Sequence, residues 1–181
     1  VFFWTKKQHG SSSSTAEPYR ITLATAPRLR IRRKFPREET YMQINTDGLI
    51  IREQSIGESD RLVTVLTREQ GILRAFVRGA KAMKSRSASS TQLLCYSRLS
   101  IYEGREKYII DEAEPIEVFF SLRTDFEKLS LAQYFCELAL ALAPEKMEAG
   151  DFLRLVLNAL YFLGKGKLPA AQIKAIVEMR M

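Results

Sequence analysis

The stretch DRLVTVLTREQGILRAFVRG, residues 60–79, carries the pattern on which the fold turns. Its first part, Asp60 to Thr67, is β-branched and apolar on both faces, as for a buried strand. Glu69-Gln70-Gly71 makes a tight connection, and Gly71 can take a positive φ. Ile72 to Gly79 then reads as the partner strand. Strand alternation puts Leu73, Ala75 and Val77 on one face and Arg74, Phe76 and Arg78 on the other.

Working outward, Gly48 to Gln54 (GLIIREQ) is a short strand candidate, followed by a turn at Ile56 to Ser59. Downstream, Leu93 to Glu103 (LLCYSRLSIYE) and Lys107 to Glu112 (KYIIDE) are a fourth and a fifth, with a turn at Gly104. Five strands within about 70 residues, with no helix between them, predict a small closed barrel, and five is the strand number of the OB-fold. In the fourth strand Cys95, Ser97, Leu99 and Ile101 share one face, while Tyr96, Arg98, Ser100 and Tyr102 share the other.

The period then changes. Phe119, Leu122, Phe126, Leu129, Ala132, Cys136, Ala139 and Leu142 recur at three- and four-residue steps, one face of a single helix of about six turns. Pro144 ends it. Asp151 is a candidate cap for a second helix, Phe152 to Leu163, which is apolar nearly all round and so expected to be buried. Gly164-Lys165-Gly166 stops it, and Pro169 suits the first turn of a third, amphipathic helix that runs to Met181 without a cap. The expected fold class is β then α: an OB-fold barrel over residues 42–117 and a helical domain, incomplete, over 118–181.

Residues 1–41 show no sustained period and contain SSSST, three prolines and the run RLRIRRK. Three readings are open: an extension outside the fold, disordered or translated upstream of a start at Met42; a transit peptide, being Arg-rich, Ser-rich and poor in acids; or a nucleic-acid arm. Met42, directly before the first regular pattern, favours the first.

The net charge of +7 must be located before it is used. Residues 1–41 hold nine Lys/Arg and three acids; the remaining residues hold nineteen and eighteen. The charge that bears on nucleic acid is therefore local. In RGAKAMKSRSASSTQ, residues 78–92, the cations Arg78, Lys81, Lys84 and Arg86 fall within nine positions, and no carboxylate lies between Gln70 and Tyr102. A solvated basic loop is one reading; a phosphate-binding loop is the other, and the absence of acids favours it. The Ser/Thr half is expected to give flexibility that lets the lysines track a phosphate backbone.

Aromatics interleaved with arginines offer π-faces to bases and guanidinium groups to phosphates. The candidate DNA-binding set is Arg74, Phe76, Arg78, Lys81, Lys84, Arg86, Tyr96, Arg98 and Tyr102. The competing reading buries the aromatics under a helical cap, with arginine stems lying over them.

Other chemistries find little support. The one histidine, His9, lies in the leader, which removes imidazole from the folded part and with it triad chemistry. Glu58 and Asp60 are best used in satisfying a turn. Asp111, Glu112 and Glu114 have no His or Cys nearby, Cys136 sits on the apolar stripe, and no Gly-rich phosphate loop is present. Two distant cysteines make no disulfide framework and fit a reducing compartment. No apolar run approaches the roughly 18–20 residues of a membrane helix. A non-enzymatic protein is expected, with no metal site, membrane or small-molecule substrate.

The ordered motifs resemble one family. Gly48, Glu58 and Asp60 (E-x-D), Thr67 and Gly71 (T-x-x-x-G), and Gly79-Ala80-Lys81 follow the N-terminal pattern of RecO, the bacterial recombination mediator. Tyr102 to Arg105, Ala113-Glu114, Leu122-Arg123-x-Asp125, Tyr134-x-x-Glu137-Leu138 and LPAAQIKAIVEMRM (residues 168–181) extend the likeness across 42–181. The resemblance implies an OB-fold followed by a helical domain, and no catalytic turnover. It implies binding of single- and double-stranded DNA, strand annealing, and recombinase loading onto strands coated by single-strand-binding protein, in the bacterial cytoplasm at the nucleoid. RecR and the acidic C-terminal tail of single-strand-binding protein are the implied partners. The tail would dock near Ile173, Lys174, Val177 and Arg180, a cation beside apolar side chains. Many members carry a four-cysteine zinc site further along; no cofactor is expected within these residues. An OB-type protein-interaction module without DNA affinity is the alternative.

Overall fold

Five strands close into a barrel in the order β1-β2-β3-β5-β4, with β1 hydrogen-bonded to both β2 and β4. The computed structural model describes residues 42–80, 87–104 and 107–181. The leader readings, including His9, and the loop cations Lys81, Lys84 and Arg86 lie outside the described residues. The strands are β1 (Met42–Ile56), β2 (Asp60–Thr67), β3 (Gly71–Val77), β4 (Cys95–Glu103) and β5 (Tyr108–Val118). The helices are α1 (Phe120–Arg123), α2 (Phe126–Leu142), α3 (Gly150–Lys165) and α4 (Ala170–Arg180). A parallel β3–β5 pair closes the barrel and every other pair is antiparallel, which is the OB-fold arrangement.

Strand β1 is longer than its local pattern predicts, because its two halves serve two neighbours. Met42 to Leu49 pairs with β4, and Gly48 to Ile56 pairs with β2. The strands cross closely at Gly48, where a Cβ would run into the Val65 side chain. A register shift between Ile50 and Arg52 follows. Ordinary alternation buries β1 on both faces here: Ile50 points into the barrel, while Leu49 and Ile51 face the helices.

Two apolar clusters result. Ile50, Val63, Val65, Leu73, Ala75, Val77, Cys95, Leu99, Ile101 and Ile110 fill the barrel. Leu49, Ile51, Leu66, Ile72, Leu94 and Tyr96 lie outside it, under Phe135, Cys136, Ala139, Leu153, Val156 and Leu160 of α2 and α3. Barrel and helices thus belong to one compact unit.

The helical layer departs from its pattern in four places. The six-turn helix is broken: α1 ends at Arg123, and the Asp125 carboxylate accepts the Glu127 and Lys128 amides at 3.1 and 3.2 Å, starting α2 afresh. Phe126 then points outward and is 84% exposed, although its spacing places it on the apolar face. Asp151 is not the cap of α3; Ala149 is, and Asp151 sits in the first turn paired with Arg154 at 2.8 Å. α3 is also not buried all round, since Arg154 is exposed and Phe152, Leu157, Tyr161 and Phe162 are only partly covered.

Candidate nucleic-acid interface

The outward alternation of β3 is as its sequence predicts. Leu73, Ala75 and Val77 are buried in the barrel, Arg74 and Arg78 are exposed, and Phe76 is half-buried. Phe76 lies opposite Leu62 of β2 and beside Ile109 of β5. Over this face runs a groove of about 410 Å³, lined by Leu62, Gln70, Ile72, Leu73, Arg74, Phe76, Lys107, Tyr108, Glu145 and Lys146. The floor is apolar and aromatic. Arg74, Lys107 and Lys146 are exposed on the rim and make no ion pair among the described residues. Tyr108 donates its hydroxyl to Glu103 at 2.9 Å; burial pushes this phenol above its usual range, and the acceptor carboxylate adds to the shift.

The far wall of the groove comes from the α2–α3 connection. Ile72 donates its amide to the Pro144 carbonyl at 2.9 Å, Ala149 donates to Arg68 at 2.8 Å, and Glu145 forms isolated bridges with Gly71 and Ile72. Gly71 permits this approach: its φ is +62°, and a Cβ there would collide with the Pro144 carbonyl oxygen. Nothing near Lys146 or Lys107 in the chain marks them as neighbours of Phe76. Sequence reasoning missed both, and also Leu62 and Tyr108; the glycine at 71 was the one available signal.

The basic loop is anchored at both ends. Asp60 Oδ1 accepts the Gly79 amide at 2.9 Å, and Gly79 sits at φ +60°. On the return side, Arg61 Nη1 donates to the carbonyls of Ala88 and Thr91 at 3.3 and 3.2 Å. The Ser87 carbonyl accepts the Thr91 hydroxyl at 2.6 Å, and that of Ser90 accepts the Ser97 hydroxyl at 2.7 Å. Arg123 holds Gln92 and the Leu93 carbonyl at 2.7 and 2.6 Å. The Ser/Thr half, expected to be flexible, is instead a folded turn with Ser90 and Thr91 buried. Its short side chains close on the backbone because guanidinium groups from β2 and α1 take up the carbonyls.

Strand β4 supplies less of the surface than its alternation suggested. Tyr96 does lie outside the barrel, but that outside is covered: the ring is 6% exposed in the core shared with the helices, and burial pushes its phenol up to about 12. Tyr102 is buried as well, between Gln43 of β1 and Ile109 of β5 in the sheet. Arg98 pairs with Asp47 at 3.4 Å and Glu114 at 3.9 Å across the strands on either side, so carboxylates already compensate its charge. Burial raises the Asp47 carboxyl above its ordinary range, with Arg98 pulling the other way. These placements correct the expectation that Tyr96, Arg98 and Tyr102 form an open face.

In α4, Ile173 and Val177 are 4% and 1% exposed, packed into the helical core, so they offer no groove to a partner. That corrects half of the tail-docking set; α4 turns those side chains inward because they are its i and i+4 positions. Lys174 and Arg180 are exposed, and Lys174 sits 5.5 Å from the Tyr134 ring and 3.4 Å from Glu178. Among the described residues no group of three or more His, Cys, Asp or Glu could hold a metal ion, and no helix is long and apolar enough to cross a membrane.

Comparison with known proteins joins these features. The family model described as Recombination protein O N terminal matches residues 42–119, and that described as Recombination protein O C terminal matches 123–181. The chain belongs to the RecO family. It is 33% identical over 138 residues to the DNA repair protein RecO of Acetivibrio thermocellus, covering 76% of this chain and 55% of that protein. The RecO of Symbiobacterium thermophilum is 36% identical over 121 residues, 67% of this chain and 48% of the relative. The chain thus spans about half the length of the curated relatives it matches.

The RecO-like motifs acquire mechanical roles in this fold. In T-x-x-x-G, the Thr67 hydroxyl accepts the Gln70 amide at 3.2 Å and donates to the Gly71 carbonyl at 3.0 Å, closing the β2–β3 turn. The aspartate of E-x-D reaches the glycine of G-A-K, the two ends of the quoted stretch. In L-R-x-D, Arg123 fastens the loop after Ser87 and Asp125 caps α2. These motifs thus fasten the β2–β3 turn, the chain around Gly79 and Gln92-Leu93, and the start of α2.

Proposed function

We propose that this chain is the DNA-binding portion of a recombination mediator in DNA repair, working without catalytic turnover. It binds single- and double-stranded DNA, promotes annealing, and supports recombinase loading onto strands coated by single-strand-binding protein. RecR and the acidic tail of that protein are the proposed partners, with two exposed cations proposed to meet the tail: Arg180, and Lys174, which the tail would have to share with Glu178. The proposed setting is the bacterial cytoplasm at the nucleoid. The observation that carries the reading is that the two flanks of an acid-free basic stretch are held, Gly79 by Asp60 and Ala88 by Arg61, and that Arg74 and Arg78 of the preceding strand are exposed. A stretch held at both flanks loses less backbone entropy on binding phosphate than one with free ends.

The test is titration of a labelled single strand at several salt concentrations. If Arg74, Arg78, Lys81, Lys84 and Arg86 each meet a phosphate, the log–log slope is about −3.5, at about −0.7 per contact. Replacing Lys81, Lys84 and Arg86 by alanine should make it shallower by about 2. Unchanged affinity and slope would remove the loop from the interface. Binding to the acidic tail peptide with no DNA affinity in the unmodified chain would instead favour a protein-interaction module.

A further inference from the structure

The groove over β3 differs in kind from the basic loop, because it joins an apolar floor to a charged rim. We propose that it accepts one unpaired nucleobase of a single strand on Phe76, with the adjoining phosphate held by Lys146 of the helical layer, and so separates single strand from duplex. This rests on the DNA-binding reading above and adds a strand preference to it.

Three observations carry the inference. Phe76 is half-buried and flanked across the strand by Leu62, which leaves an aromatic surface framed by aliphatic contact. The volume of about 410 Å³ lies within the roughly 300–1,000 Å³ of small-ligand sites. Arg74, Lys107 and Lys146 border that floor against a single lining carboxylate, Glu145. A planar apolar group carrying an anion is the ligand this combination fits, and a nucleotide is such a group.

The position of Lys146 is imposed rather than incidental. Its φ of +57° is one of two positive values at non-glycine residues among those described. An ordinary side chain in that region is uncommon and is held there by its surroundings. Here the surroundings are the bond from Ile72 to Pro144 and the bridges at Glu145. The helical layer is thereby a working wall of the barrel's ligand face. A duplex keeps its bases stacked inside and can offer the groove only its phosphates; a single strand can offer a base.

The experiment measures the affinity of the full chain for a labelled oligothymidylate and for a duplex of equal length, with the variants Phe76→Leu and Lys146→Gln. Leucine keeps the apolar packing and removes the π-face; Lys146 is exposed, so its variant tests the groove without a folding risk. Phe76→Leu should weaken single-strand binding about tenfold, at an unchanged salt slope, and leave duplex binding as it was. Lys146→Gln should make the single-strand slope shallower by about 0.7 and leave the duplex slope unchanged. Wild-type single-strand behaviour in both variants, or equal losses on both DNAs, overturns the proposal. If the variants behave as wild type while alanines at Lys81, Lys84 and Arg86 abolish binding, the groove assignment fails and the DNA-binding reading stands. If the unmodified chain binds neither DNA, both fail.

Discussion

Asp60 and Arg61 are consecutive at the start of β2, yet they grip opposite ends of one loop. Asp60 accepts the Gly79 amide at 2.9 Å where the chain leaves the barrel, and Arg61 donates to the Ala88 and Thr91 carbonyls at 3.3 and 3.2 Å where it returns. Two adjacent strand residues thus hold Gly79 on one side and Ala88 and Thr91 on the other.

This arrangement predicts a counter-intuitive sign. Removing an acid beside a loop proposed to bind DNA should raise affinity if long-range charge alone mattered. Asp60→Ala should lower single-strand affinity, several-fold, because the Gly79 amide loses its acceptor. Asp60→Asn keeps an acceptor oxygen while removing the charge, and should bind as tightly as wild type or tighter. Fluorescence anisotropy on the three proteins decides it; equal gains in both variants would show that the carboxylate acts through charge alone.

Gly71 should tolerate no side chain. Its φ of +62° costs an L-residue about 1–2 kcal/mol, and a Cβ would strike the Pro144 carbonyl oxygen. Gly71→Ala should therefore lose at least about 2 kcal/mol in urea unfolding and, by displacing the α2–α3 connection, disturb the groove wall. An unchanged midpoint would mean that the connection docks without this glycine.

Asp125 gives a pH signature. The Lys128 amide, first among its partners, holds its carboxyl below the ordinary value of 3.8. A depressed folded-state pKa adds stability above the unfolded value, and that stability is lost as pH falls through the folded one. Asp125→Asn should thus melt below wild type at neutral pH, and the gap should close progressively below about pH 4. A gap that persists at low pH would contradict the capping role of the charge.

Both cysteines should be inert while the chain is folded. Cys136 is 2% exposed and burial pushes its thiol up to about 12; Cys95 is fully buried inside the barrel and is raised by the same cause. A thiol needs its thiolate and access to react. A disulfide reagent at mildly alkaline pH should therefore label neither within minutes, and both once denaturant is added. Rapid labelling of one thiol in the native chain would place it at the surface.

The legible and illegible parts of this molecule divide by the range of the interaction involved. Alternation along β3 read both faces correctly, because Arg74 and Arg78 meet solvent and Leu73, Ala75 and Val77 meet the barrel. On β4 the parity was right and the inference from it was not. Tyr96 faces outward onto a helical layer some tens of residues away in sequence, and Arg98 faces Asp47 and Glu114 on flanking strands. Period-2 patterning assigns a face and says nothing of what covers it. The helix break had a local signal, since Asp125 is a strong cap, but the apolar spacing ran straight through it. Lys146 had no local signal, because its place beside Phe76 is made by a backbone contact between distant loops.

Strand β1 carries a last consequence. It lends Ile50 to one apolar cluster and Leu49 and Ile51 to the other, so neither cluster is complete without it. Heating should accordingly give a single sharp transition, with no stage at which an intact barrel outlives its helices. A gene cut after Val118 would leave Leu49, Ile51, Leu66, Ile72 and Tyr96 facing water, and its product should collect in inclusion bodies rather than yield a smaller working domain. Anyone trimming this protein for crystallisation or NMR should cut elsewhere.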